Sequence, residues 1–237
     1  MSAAAGGFQA FSGQHYLLLG IFAVGAVAIV AAGRARRPLV QQGTTPRFSR
    51  VLAVVILCVA VPTQVYDLTR PGFQLGATLP LQLCDFAWVT ASWALWTRAR
   101  VPTALTYYWG LTLSIQGVLT PSLGQLFPNP RFFSFWAMHF LVVWSALYLT
   151  IGLGLGPRWR EYRVAIVVTL VWALAVFGFD KLVDGNYGYL VHKPASVSLF
   201  DVLGPWPGYL LASTAILLAV WALMTLPWVR RSPATVG

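Results

Sequence analysis

Seven apolar runs, each approaching the length of a bilayer's hydrocarbon core, punctuate this 237-residue chain. A helix needs about 20 mostly apolar residues to cross roughly 30 Å of hydrocarbon. The runs cover Tyr16–Ala32, Val51–Tyr66, Leu79–Trp96, Ala104–Leu123, Phe132–Leu153, Val164–Phe179 and Gly208–Leu226. Runs two and six are 16 residues long and are expected to extend into their flanks. Lipid offers the backbone no hydrogen-bond partner, so each run must close its own bonds as a helix. The expectation is one all-α integral membrane domain over residues 1–237, a bundle of seven transmembrane helices. Composition agrees: 58% of residues are apolar and only 9% charged, against about 45–50% and 25% in an average globular chain. A soluble fold and a disordered chain are both excluded by that balance.

The net charge of +10 would suggest nucleic acid in a soluble protein. Here the cations lie between apolar runs, so they read as orientation and not as a nucleic-acid surface. Twelve of the sixteen lie in alternate connections: 34–50, 97–103, 154–163 and the tail after 226. The other side holds Arg70, Arg131, Lys181 and Lys193. The positive-inside rule then puts the N-terminus outside and the C-terminus in the cytoplasm. An odd number of spans is required, and seven satisfies it. The first run lacks a basic segment before it, and its arginines follow it, so it reads as a retained span and not a signal peptide. Fourteen arginines against two lysines hint at a GC-rich bacterial genome, and hence at a bacterial cytoplasmic membrane. Two cysteines rule out a disulfide framework. Three histidines and two cysteines stand too far apart for a zinc site, so neither metal nor cofactor is expected.

Ionisable and polar groups inside spans are costly and default to functional candidates. Counted from Leu79, Cys84 lies about 8 Å into the third span. His139 and Gln116 each lie about 10 Å from the outer ends of the fifth and fourth spans. Asp180 closes the sixth span on the same side. A thiol, an imidazole, an amide and a carboxylate therefore share one shallow outer layer. A thiolate is a strong nucleophile and a nearby imidazole takes its proton. A carboxylate, Asp85 or Asp180, can orient that imidazole, and Gln116 can donate to an oxyanion. Each has a plainer reading as packing. Cys58, in the apolar run 54–61, is assigned to packing. His15, at the outer end of the first span, reads either as an interfacial anchor or as part of the layer. Gly152, Gly154 and Gly156 resemble a phosphate loop only superficially; no strand precedes them and Pro157 follows, so they read as a helix end. The outer connection 180–207 carries the densest polar run, including Lys181, Asn186, Tyr189 and Lys193. Long loops rich in ordering residues tend to be functional, and its lysines suit a lipid phosphate as point charges. The competing reading is a cap on the bundle.

Several segments in order carry a family resemblance. They are Phe11–His15 (FSGQH), Leu79–Cys84 (LPLQLC), Tyr108–Pro121 (YWGLTLSIQGVLTP), the His139 segment (RFFSFWAMHF), Asp180–Pro194 (DKLVDGNYGYLVHKP) and Asp201–Pro207 (DVLGPWP). The chain resembles the YwaF family of bacterial integral membrane proteins, whose animal relative is transmembrane protein 164. The resemblance implies a seven-helix membrane protein. For the animal branch it also implies a cysteine-dependent acyltransferase acting on lysophospholipids, whose Cys and His pair falls on Cys84 and His139. Gly188 departs from the pattern, which leads one to expect a larger residue between the tyrosines of NYGY. The functional expectation is an acyltransferase or acyl hydrolase with a membrane lipid as substrate. The rival is a small-solute or proton-coupled carrier or sensor using the same layer, in which Cys84 only packs.

Overall fold

The structure is a computed structural model that describes residues 7–121, 123–194 and 199–230. Arg231, counted above among the tail cations, lies outside the described residues. Every predicted apolar run contains a helix, with ends set by local chemistry. Helix α1 spans Gly13–Gln41, its first turn capped by Ser12 Oγ, which accepts from the His15 N–H at 3.3 Å. Helix α2 is Arg47–Thr69 and a single turn, α3, is Leu75–Thr78. Helix α4 is Leu83–Thr97. It starts four residues later than the apolar run, because Pro80 and the extended backbone of Leu79 and Gln82 hold the chain out of helical geometry. Cys84 is consequently the second residue of its helix, where a count from Leu79 makes it the sixth.

Helix α5, Arg100–Trp109, continues through a π-helical turn at Gly110–Ser114 into α6, Ile115–Leu119. Thr120 leaves helical geometry just before Pro121, so this rod stops short of the expected Leu123. Asn129 caps α7, Pro130–Leu147, by accepting from the Arg131 N–H at 2.9 Å. A second π-helical turn, Tyr148–Gly152, closes that rod. Helices α8, Trp159–Val183, and α9, Gly208–Arg230, complete the fold, and no strand occurs among the described residues. Five of these rods are long and apolar enough to cross a membrane: α1, α2, α7 with its π turn, α8 and α9.

Burial sorts the rods into centre and periphery. Residues 102–109 of α5 are all buried, and 56% of the apolar window of α7 is buried. The matching window of α1 is only 6% buried, with Val24 and Val27 each 72% exposed. Large apolar side chains left bare along a whole helix need an apolar covering, which lipid supplies. Between the rods, polar pairs replace the hydrophobic drive that lipid removes. Tyr108 Oη meets Thr225 Oγ1 at 2.7 Å, Ser49 Oγ meets Tyr148 Oη at 2.8 Å, and the Trp109 indole donates to Thr169 Oγ1 at 3.0 Å. At the crossing of α1 with the second π turn, Gly33 and Gly152 face each other. A Cβ on Gly33 would stand 2.7 Å from the Gly152 Cα.

Candidate functional site

Cys84 heads the buried stripe of α4. At helical spacing the stripe continues through Ala87, Ala91, Ala94 and Leu95, all at most 1% exposed. Cys84 lies on that same face, yet it is exposed. The thiol is thus an exposed group at the first turn of an otherwise buried stripe. Asp85 Oδ2 accepts from the Gln82 N–H at 3.0 Å, which fixes the helix start. Asp85 is thereby spent on the helix end and does not point along the cysteine's face.

The loop after α8 clamps the chain just before Cys84. Gln82 Oε1 accepts from the Gly188 N–H at 2.9 Å, and the Trp172 indole donates to the Leu81 carbonyl at 3.0 Å. Tyr187, 1% exposed, accepts from the Leu79 N–H and donates to the Leu75 carbonyl, both at 2.8 Å. Gly188 has φ +64°, and a Cβ there would meet the Trp172 ring at 2.4 Å. The glycine that departs from the expected pattern is thus the residue this clamp requires. Tyr187 lay within the polar run that the sequence singled out, but Gln82 and Trp172 escaped that reading, because hydrogen bonds across more than 90 residues leave no local signature.

His139 lies one turn above the buried Val142, Val143 and Ala146 of α7. Its ring packs against Gly117, where a Cβ would stand 2.4 Å from Nε2. Nδ1 lies 2.7 Å from the Phe135 carbonyl, which can only accept, so Nδ1 carries the proton. Nε2 has no hydrogen bond among the described residues and keeps its lone pair. Helices α4 and α7 pack against one another, but no hydrogen bond joins Cys84 to His139.

The other candidates divide. Gln116 is exposed and its amide makes no hydrogen bond among the described residues. Asp180 is 1% exposed and, among the described residues, neither carboxylate oxygen has a partner in full hydrogen-bond geometry. His15 is fully buried: Nδ1 accepts from the Phe11 N–H and Nε2 donates to the Val118 carbonyl, each at 2.8 Å. It caps a carbonyl at the end of α6 and retains no free ring nitrogen. Asn186 is spent inside the loop after α8, where Oδ1 accepts from the Val191 and His192 N–H groups. Lys193 lies 3.8 Å from Asp201 and sits over the Tyr209 ring, and Lys181 sits over Phe177. The Tyr189 carbonyl accepts from the Tyr209 hydroxyl. These contacts stay among the loop, α8 and the start of α9. Asp67, also missed by the sequence reading, pairs with Arg131 and Arg70 and ties the end of α2 to the start of α7.

Lipid-facing apolar helices around a polar-mouthed core define a helical integral membrane protein. The chain belongs to the TMEM164 family, whose model matches residues 10–225. No curated protein and no solved structure matches it.

Proposed function

We propose that the chain is a seven-span protein of a bacterial cytoplasmic membrane, N-terminus outside, that moves an acyl group through Cys84. The shorter rods, α4 and α5 through α6, supply the two spans beyond the five long ones. One observation carries the reading: an exposed thiol heads an otherwise buried stripe, at a helix start that a buried hydrogen-bonded clamp holds in place. The tautomer of His139 supports it, because Nε2 is free to take a proton.

In this reading His139 Nε2 takes the Cys84 proton and the sulfur attacks the ester carbonyl of a membrane lipid. A C–S bond forms and the acyl C–O bond breaks. The imidazolium returns its proton to the departing lysolipid alkoxide. A second hydroxyl, from a lysophospholipid or from water, then attacks the thioester, gives its proton to Nε2 and releases the thiol. Oxyanion charge in both steps is met by the Leu83 and Cys84 N–H groups, the Asp85 N–H being already bonded to the Gln82 carbonyl, and by the Gln116 amide.

The test is acyl exchange between phospholipid and lysophospholipid by the protein in liposomes. Cys84→Ala is expected to abolish exchange, and His139→Ala to lower it by about 10²-fold or more, while Cys58→Ala keeps it. A hydroxylamine-sensitive acyl group on Cys84 is expected during turnover. Full exchange by Cys84→Ala would end the proposal. The rival carrier reading draws on Asp180, a buried carboxylate without a partner in full hydrogen-bond geometry among the described residues. Proton-coupled solute uptake that needs Asp180 but not Cys84 would favour it.

A further inference from the structure

At the far end of α4 from Cys84, a cavity of about 400 Å³ opens among arginines. That volume lies within the range of small-molecule sites, roughly 300–1,000 Å³. Arg34 and Arg37 come from the end of α1, Arg98 and Arg100 from the α4–α5 connection, and Arg158 from the start of α8. Glu161 is the one carboxylate in the lining, and its Oε2 is already bonded to the Arg158 N–H at 3.0 Å. None of the five guanidinium groups has an ion pair among the described residues.

Charge of one sign near a membrane surface is ordinary; convergence on a built cavity is not. Thr103 is 3% exposed and its Oγ1 has no hydrogen-bond partner among the described residues. The Nε of Arg98 is likewise buried and unpartnered, although its Nη2 donates to the Gly43 carbonyl at 3.1 Å. Buried donors without acceptors are costly and point to a missing acceptor. Three glycines shape the walls. Gly152 lets α1 cross closely at Gly33, which delivers Arg34 and Arg37 to the cavity. Gly154, at φ +80°, lies under the Arg37 guanidinium, which a Cβ would meet at 2.4 Å. Gly156 admits the Trp228 ring, which a Cβ would meet at 2.0 Å. The starts of α5 and α8 both border the cavity and add positive dipole ends.

We infer that this cavity binds a phosphate-bearing ligand, the phosphate of an anionic lipid headgroup or of a soluble phosphate ester, through the forked donors of its arginines. Guanidinium forks match phosphate oxygens in pairs, and the unpartnered Thr103 hydroxyl supplies a further donor. The glycine run therefore borders an anion site built from side chains on neighbouring elements, and not a backbone phosphate loop. The inference does not depend on acyl transfer at Cys84.

The test uses the full chain in nanodiscs of phosphatidylcholine. One arm adds glycerol 3-phosphate or inorganic phosphate; the other replaces part of the lipid with phosphatidic acid or phosphatidylglycerol. Binding is read as a rise in thermal midpoint and as a dissociation constant. Stabilisation in the lipid arm alone assigns a headgroup, and in the soluble arm a free phosphate ester. Arg37→Ala and Arg98→Lys are each expected to weaken binding roughly tenfold or more. Arg36→Ala removes the same charge outside the cavity, where Arg36 donates to the Ala32 carbonyl, and is expected to change binding less than threefold. Equal loss in all three variants would reduce the effect to surface charge and overturn the site. So would no stabilisation by any probe.

Discussion

Gly188 is a single residue whose conformation is dictated from 16 positions away. Its left-handed backbone, φ +64°, and the Trp172 ring stacked where a side chain would stand leave room only for hydrogen. Gly188→Ala is expected to destabilise the protein by about 1–3 kcal/mol, seen as a lower thermal midpoint in detergent. It should also lower acyl exchange, since Gly188 N–H holds Gln82 beside Cys84. An unchanged midpoint would mean that the clamp does not constrain the start of α4. The two cysteines differ on the same scale. Both are exposed, but Cys58 sits in the middle of α2 while Cys84 sits in the first turn of α4. His15 shows the opposite economy, with both ring nitrogens consumed by the fold.

Among elements, the paired glycines at the α1 crossing set how closely a lipid-facing helix approaches the core. A Cβ on Gly33 or on Gly152 would come within 2.7 or 2.9 Å of the opposing Cα, a contact that only backbone movement relieves. Gly33→Ala and Gly152→Ala are each expected to cost about 1–3 kcal/mol, measured by thermal unfolding. Both should also weaken phosphate binding by displacing Arg34 and Arg37, which a local side-chain effect would not do. Helix existence was legible because apolar runs of this length admit only helices in lipid. Helix ends were less legible: the apolar run reaches Leu123 although helical geometry ends before Pro121, and α7 starts at Pro130, two residues ahead of the apolar run. The late start of α4 was equally hidden, because the apolar character of Leu79–Leu83 continues across Pro80 while the geometry does not. The two π-helical turns left no mark in the pattern, since one residue gained in a turn does not alter hydrophobicity.

At the scale of the molecule, the proposed orientation separates two regions at opposite ends of α4, some 14 residues or about 21 Å apart along the helix axis. Cys84 would face the exterior and the arginine cavity the cytoplasm. A membrane-impermeant maleimide added to intact cells is expected to label Cys84 and to spare Cys58, with the single-cysteine variants as readout. Labelling of Cys84 only after the membrane is opened would invert the topology and leave the bundle untouched.

Taken alone, the chain's residues determined that it must be helical and live in lipid, because so little charge and so much apolar length have no other stable solvent. They also singled out Cys84 and His139, since reactive groups in an apolar span are costly enough to be conspicuous. Only the tertiary structure decided which polar residues are free. It spent His15, Asp85 and Asn186 on backbone partners, left Nε2 of His139 open, and gathered arginines from three stretches of chain around one cavity. The reason is that hydrogen bonds and charge convergence depend on distances between helices. Those distances follow from the small residues at helix crossings and not from the order of residues within any one helix.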